Sequence, residues 1–365
     1  MAKVVVAMSG GVDSSVAAYL LKEQGHDVTG LMLRLWSEPG KEDSNRCCTP
    51  DSVSQARKVA AILDIPFYVI NAKEIFYDKV VQPFLQSYQN GMTPNPCLWC
   101  NRQIRFDYLF KHCMELGAEF MATGHYVQKV IDTDGNDALK RAVDDGKDQS
   151  YVLHVLEQSV LRQCLFPIGE HPKARIREIA GQIGLPVAKR PDSQDLCFLA
   201  GEDYRGFLSR HLSEQPKPGN MVDQSGKVIG KHSGLHLYTI GQRKGLGITT
   251  PQPYYVVRKD IATNNLVVGD LSALGTKTLT AGPMTWTKKS PPQITPFSAL
   301  VKTRYTSRPA MAKVTPNQDG SQVLIEFDQP QRDITPGQAA VVYDDDLLLG
   351  GGIILTEKNI EQVNA

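Results

Sequence analysis

Val4-Val5-Val6-Ala7-Met8-Ser9-Gly10-Gly11-Val12-Asp13-Ser14-Ser15-Val16-Ala17-Ala18-Tyr19-Leu20-Leu21 decides the fold. An apolar run meets a turn of small residues and passes directly into a helix-patterned segment. This is a strand, a glycine turn and a helix start. Small residues let the backbone approach a polyanion, while a helix N-terminus offers unpaired N–H groups and a positive dipole end. Ser9, Ser14 and Ser15 add hydroxyl donors, so a phosphate fits there. The turn lacks the lysine of the G-x-x-x-x-G-K-[ST] loop, the cation that kinase-like and GTPase-like sites hold at the β- and γ-phosphates. A glycine turn that merely ends a buried strand is the bland alternative.

Working outward, segments of strand and helix character alternate up to about residue 190. Strands are expected at Val4-Met8, Val28-Leu35, Phe67-Asn71 and Phe120-Thr123, and helices at Ser14 to Gln24, Asp51 to Leu63 and Ile104 to Leu116. Thr49-Pro50 supplies a cap and a first-turn proline for the second helix. Such alternation predicts an α/β, doubly wound parallel sheet with its loops gathered at the strand ends, where ligands bind. From about 203 the pattern changes to short, glycine-punctuated segments, including Tyr254-Val257 paired across Asn264-Asn265 with Leu266-Val268. Beyond about 277, Met284-Trp286, Ala299-Arg304, Ala310-Val314, Val323-Phe327, Ala339-Tyr343 and Ile353-Leu355 predict a C-terminal all-β barrel. The expected division is therefore 1–202, a small central domain at 203–276, and a barrel domain at 277–365.

A chain of 365 residues exceeds the size at which one core stops growing, consistent with three domains. With 40 Lys and Arg against 39 Asp and Glu, the net charge of +1 excludes a globally basic nucleic-acid coat and leaves room for local patches. No apolar stretch approaches about 18 residues and the N-terminus carries no leader pattern, so a cytoplasmic protein without membrane association is expected. Seven cysteines without a secretory signal fit reactive or metal-bound thiols better than a disulfide framework.

Thr93-Pro94-Asn95-Pro96-Cys97-Leu98-Trp99-Cys100-Asn101 places a C-x-x-C on a proline-stiffened loop before the helix expected near Ile104. A helix N-terminus favours the thiolate, which is the reactive form. Cys197, in Asp192-Ser193-Gln194-Asp195-Leu196-Cys197-Phe198, has a similarly polar setting and could meet the pair in space. A zinc site lacks a fourth soft ligand. A thioredoxin-like site leaves the phosphate loop without use, and sulfur handling by Cys100 and Cys197 uses both. Cys113 and Cys164 have apolar surroundings and read as small hydrophobes, and Cys47 and Cys48 have weak context.

The loop resembles the S-G-G-x-D-S loop of the PP-loop ATP pyrophosphatases. Nearly the whole chain is similar to the tRNA-specific 2-thiouridylase (MnmA/TrmU) family. The likeness runs through Ser9-Ser15, Thr93-Pro96, Cys100-Asn101, Ala122-Tyr126, Lys147-Tyr151, Asp192-Ser193, Cys197-Phe198, Gly241-Gly247, Lys302-Tyr305, Thr335-Gln338 and Gly350-Ile353. It implies a HUP-like adenylation domain and a tRNA-uridine 2-sulfurtransferase that uses ATP to thiolate a wobble uridine, releasing AMP and pyrophosphate. Small-molecule adenylating synthetases share the loop and remain the alternative.

The resemblance also implies roles. Cys197 carries the persulfide and Cys100 is the nucleophile, the pair ending as a disulfide that needs a reductant. Ala7, Met8, Ser9, Gly10, Gly11, Val12, Asp13 and Ser14 hold ATP, with Leu33 and Gly124 lining the nucleotide. Asn95, Pro96 and Cys97 contact the target base, while His125, Lys147, Asp148, Gln149, Arg304, Tyr305 and Gln338 contact tRNA. Mg²⁺ is expected to accompany ATP. The implied partners are tRNAs accepting lysine, glutamate and glutamine, and a cysteine desulfurase or sulfur-relay protein as donor. One departure is Cys97, where some members carry Asp. It is a bystander, a resolving thiol, or, with Cys100 and Cys197, a ligand of an iron–sulfur cluster.

Overall fold

The computed structural model describes residues 1–42, 49–192, 196–212, 217–249, 252–332 and 334–356. Cys47, Cys48, Ser193, Gln194 and Asp195 lie outside them.

Side chains alternate across β1 (Lys3–Ala7), with Val5 and Ala7 in one apolar cluster and Val4 and Val6 in another. A strand apolar on both faces must be covered on both. It is flanked by β2 (Asp27–Arg34) and then β3 (Phe67–Asn71) on one side, and by β4 (Phe120–Thr123) on the other. The chain leaves this sheet for a hairpin of β5 (Val127–Ile131) and β6 (Asp137–Arg141), and returns as β7 (Cys164–Leu165) beside β4. All four pairings are parallel, in the order β3-β2-β1-β4-β7.

Helix α1 (Val12–Glu23) buries Val16, Ala17 and Leu21 on one face, beside Ile176 and Ala180 of the Lys173–Gln182 helix. Helix α2 (Pro50–Ile62) adds Ala56 and Val59 and starts at the expected cap, with Thr49 Oγ1 accepting from the Ser52 amide at 3.0 Å. The other face is covered by Phe76, Val80, Phe84, Ile104 and Leu109.

The central unit is a sheet of β8 (Gly219–Val222), β9 (Val228–His232), β10 (Tyr255–Asp260) and β11 (Asn265–Gly269), around Met221, Val256, Leu266 and Val268. The C-terminal strands are β12 (Thr276–Ala281), β13 (Thr285–Trp286), β14 (Phe297–Lys302), β15 (Ala310–Pro316), β16 (Val323–Gln331), β17 (Ala339–Asp344) and β18 (Leu347–Ile353). They run β12-β16-β15-β14-β17-β18, and the Ala281–Ile354 bridge and the Leu355 amide, 2.9 Å from Thr280 O, return the end of the sheet to its start. The barrel closes around Val301, Val314, Ile325 and Val342.

Three local expectations change. The helix expected from Ile104 begins at Pro96, because Asn95 caps it and Pro96 occupies its first position. Both Cys97 and Cys100 therefore lie on its first turn or just beyond, not on a loop. The last barrel strand is Leu347–Ile353 rather than Ile353–Leu355. The hairpin β5–β6, not anticipated, joins the barrel sheet through β6 and β18, with the Arg141 amide 2.9 Å from Asp346 O.

Candidate active site

At the end of β1 the chain turns through Gly10, whose φ of +73° and position favour glycine; a Cβ there would lie 2.4 Å from Ser52 O. Ser14 Oγ accepts from the Ser9 amide at 3.1 Å and Ser15 Oγ donates to Gly11 O at 2.8 Å, which fixes the loop from within. Gly11 caps α1 without any side-chain hydrogen bond, leaving the first amides of the helix for an anion. Gly124, after β4, fits flat against this turn: a Cβ would lie 2.6 Å from Ser14 N. Arg190 braces the loop by donating to Gly10 O at 2.9 Å and Ser52 Oγ at 3.0 Å.

A lysine from a distant part of the chain meets the loop. Lys173 Nζ, from the first turn of its helix, lies 2.7 and 2.8 Å from the carboxylate oxygens of Asp13, and 2.9 Å from Asp192 Oδ1. The Tyr126 hydroxyl also donates to Asp13, at 2.7 Å, and burial together with the Asp13 charge pushes its pKa upward. Asp192 further accepts from Lys147 at 2.8 Å and Arg177 at 2.7 Å. Burial acts to raise its pKa, but the hydrogen bonds and charges of Lys147 and Lys173 prevail and hold it at about 2.

Beside the loop opens a cleft lined by Ala7, Met8, Ser9, Leu33, Cys100 and Arg105 among others. One cavity thus contains the phosphate-loop strand and the thiol. Cys100 begins a π-helical stretch, Cys100–Leu109, a wider winding often found at functional sites. Cys197 opens a short 3₁₀ turn, Cys197–Leu199, and packs with Cys100 against the same apolar cluster, anchored by Phe198 among Phe76, Phe84 and Phe207. Cys113 and Cys164 are buried, and burial pushes the Cys113 pKa up to about 12, as expected of inert packing residues. Cys97 is exposed. Among the described residues no three His, Cys, Asp or Glu side chains gather as a metal-holding group, so an iron–sulfur cluster on Cys97, Cys100 and Cys197 does not fit this arrangement.

The other expected contacts divide by exposure. Tyr305 is 40% exposed and within electrostatic reach of Cys97. Asn95 accepts from the Cys97 amide at 3.1 Å and so shapes the helix start, with Pro96 buried behind it. Gln338 donates to Thr93 O at 2.8 Å, fastening that segment to the barrel. Arg304 donates to Ile240 O at 3.1 Å and to Thr335 Oγ1, joining the central unit to the barrel. Lys147 is half-buried on Asp192. Gln149 Oε1 accepts from the Tyr126 amide at 3.0 Å. Asp148 is buried, accepting from the Ala142 amide and Ser150 Oγ. His125 is buried against Thr123 Oγ1 at 2.8 Å, and desolvation, then the Arg105 charge, lowers its pKa to about 3.

Lys173, Arg190 and Arg105 were not singled out by sequence. For Lys173 a signal existed: a cation on the first turn of a helix opposes the dipole, and such a local conflict marks a residue committed elsewhere.

Fold and loop together define a HUP-type nucleotide-handling domain carrying two further β domains. Residues 2–201 match the family model described as the tRNA methyl transferase HUP domain, 205–270 the tRNA methyl transferase PRC-barrel domain, and 276–354 the aminomethyltransferase beta-barrel domain. The chain is 46% identical over 372 residues to the tRNA-specific 2-thiouridylase MnmA of Roseiflexus castenholzii, covering 97% of this chain and 99% of the relative. It is 47% identical over 356 residues to that of Chloroflexus aggregans, covering 97% and 98%. For MnmA 1 of Caldanaerobacter subterraneus subsp. tengcongensis the identity is 45% over 358 residues, covering 96% and 97%. The chain belongs to the tRNA-specific 2-thiouridylase family.

Proposed function

We propose that this protein is an ATP-dependent tRNA-uridine 2-sulfurtransferase acting on a wobble uridine. The observation that carries this reading is the single cleft shared by Ala7, Met8 and Ser9 of the phosphate-loop strand and by Cys100. A uracil C2 carbonyl is a poor electrophile and its oxygen a poor leaving group. Attack of O2 on the α-phosphate of ATP forms an O2–phosphorus bond, breaks the α–β bridge and releases pyrophosphate. Amides at the start of α1 and the Lys173 ammonium are placed to take the developing negative charge. Mg²⁺ bound with ATP supplies further neutralisation, and the hard carboxylate oxygens of Asp13 suit it.

Sulfur arrives as a persulfide on Cys197, delivered by a cysteine desulfurase or a relay protein. The Cys100 thiolate attacks the Cys197 sulfur, the S–S bond breaks and hydrosulfide leaves. Hydrosulfide adds to C2, the C2–O2 bond breaks, AMP departs with that oxygen and the sulfur loses its proton. The Cys100–Cys197 disulfide then requires two electrons from a thiol reductant. In this reading Asn95, Pro96 and Cys97 receive the turned-out base, and Tyr305, Lys147, Arg304 and Gln338 contact the tRNA, whose lysine, glutamate and glutamine acceptors are the expected set. Residues 1–202 form the adenylation unit, 203–276 the central tRNA-binding unit and 277–365 the barrel. Among the described residues no helix is long and apolar enough to cross a membrane, and the cytoplasm, where ATP and tRNA meet, is the proposed location.

The test is nucleoside mass spectrometry of unmodified tRNA incubated with the protein, ATP, Mg²⁺, a persulfide source and reductant. Appearance of 2-thiouridine that requires ATP supports the reading. A methylated nucleoside, or pyrophosphate release driven by a small molecule without tRNA, overturns it.

A further inference from the structure

Lys302, the last residue of β14, is only 7% exposed. Its ammonium lies 6.0 Å from the ring centre of Tyr151 and 5.7 Å from that of Tyr305, two rings meeting edge to face at 6.1 Å. Among the described residues it has no hydrogen-bond or ion-pair partner. Two carboxylates act on it from a distance: Asp148, already committed to the amides of Ala142 and Ser150 and to Ser150 Oγ and also facing Arg141, and Asp145, which pairs with Arg141 at 2.9 Å.

An ammonium largely withdrawn from water, held between two aromatic faces and with its nearest carboxylates committed to other groups, is electrostatically incomplete. Tyr151 is fixed, since its hydroxyl donates to Ala339 O and accepts from the Ala339 amide, both at 3.0 Å, so the inner wall of the cage does not move to relieve the charge. The outer wall, Tyr305, is exposed and neighbours Cys97. The charge therefore sits immediately behind an aromatic surface open to solvent, where a ligand bearing both a flat ring and an anion can satisfy each group. A nucleotide unit of RNA has that composition.

We propose that Lys302, caged between Tyr151 and Tyr305, is the seat for one phosphodiester of the RNA substrate, next to the nucleotide received at Tyr305 and Cys97. This rests on the reading of the protein as a tRNA-modifying enzyme. The phosphate supplies the missing counter-charge, and the rigid Tyr151 wall sets where it sits, so Lys302 positions the strand rather than taking part in bond making.

The measurement is the dependence of tRNA affinity on salt for the full chain and for Lys302→Gln and Lys302→Arg. Loss of one phosphate contact lowers the slope of log K against log salt by about 0.7 to 0.9 in the glutamine variant, and arginine restores it. Lys288→Gln, which removes an ammonium paired with Asp132 and Asp134, keeps the slope. An unchanged slope in folded Lys302→Gln overturns the proposal while leaving the proposed function standing; failure of the wild-type chain to bind tRNA overturns both. If the variants do not fold, acetylation of the wild-type chain by an N-hydroxysuccinimide ester, read by peptide mass spectrometry, decides. Lys302 should be modified in the free protein and protected several-fold by tRNA. Modification without protection, or none in the free protein, overturns the seat.

Discussion

The ammonium of Lys173 sits 2.7 and 2.8 Å from the two carboxylate oxygens of Asp13, joining the start of a late helix to the phosphate loop at the start of an early one. The pair is largely withdrawn from solvent on the lysine side, at 10% side-chain exposure. Replacing Lys173 by Met removes the cation paired with Asp13 and leaves it, among the described residues, the Tyr126 hydroxyl as partner. Pyrophosphate release should fall about a hundredfold or more, the usual consequence of losing one preorganised charge-stabilising donor. A release rate within threefold of the wild type would remove Lys173 from the adenylation step.

The two half-buried thiols should separate the halves of the reaction. Cys197→Ser is expected to abolish 2-thiouridine while leaving tRNA-dependent pyrophosphate release largely intact, because the loop, Lys173 and the cleft do not depend on that sulfur. Cys100→Ser is expected to accumulate persulfide on Cys197, detectable by alkylation and mass spectrometry. Loss of pyrophosphate release in folded Cys197→Ser would contradict this division.

Gly124 is predicted to tolerate no side chain. A Cβ would lie 2.6 Å from Ser14 N and 2.8 Å from Asp13 C, both backbone atoms of the helix start. Gly124→Ala should cost about 1–3 kcal/mol in urea denaturation and raise the KM for ATP, since relief requires displacing the amides that face phosphate. An unchanged KM would mean that the helix start is not the phosphate site.

Acid should weaken the fold before its carboxylates titrate. Burial holds the pKa of His125 at about 3 and of His154 at about 4, below the ordinary histidine value. Between roughly pH 6.5 and those values the unfolded chain binds more protons than the folded one, so stability is full above about pH 6.5 and declines as pH falls. The two residues together should lower stability by about 2–4 kcal/mol at pH 5 relative to pH 7. His125→Gln should flatten part of that decline, and equal denaturation midpoints for the wild type at both pH values would refute it.

The strand, glycine turn and helix at Val4-Leu21 were legible because every signal there is local: an apolar run, a change of period and small residues at the turn. The hairpin of β10 and β11 was legible for the same reason, although its turn is 261–264 and Asn265 already pairs with Asp260. What sequence obscured depends on partners far along the chain. The hairpin β5–β6 is defined as a barrel element only by its meeting with β18. Lys173 meets Asp13 only through the fold, a contact no spacing rule encodes. The helix start at Pro96 was readable from Asn95-Pro96, yet the surrounding prolines and cysteines gave the stretch a loop-like composition. His125 and Asp148, expected at the tRNA surface, are buried, His125 against Thr123 and Asp148 on the Ala142 and Ser150 amides, partners that only the folded chain brings together.

The exchange of β5–β6 into the barrel bears on how the chain is made. As the protein leaves the ribosome, this hairpin emerges long before β18 exists, so the edge of β6 waits unpaired while the first domain condenses. Unpaired edges invite association with other chains. Only when β18 arrives does the hairpin gain its neighbour, so a strand from late in the chain completes a structure begun in the first half, and chains cut short before β18 should aggregate rather than persist as a separate N-terminal domain.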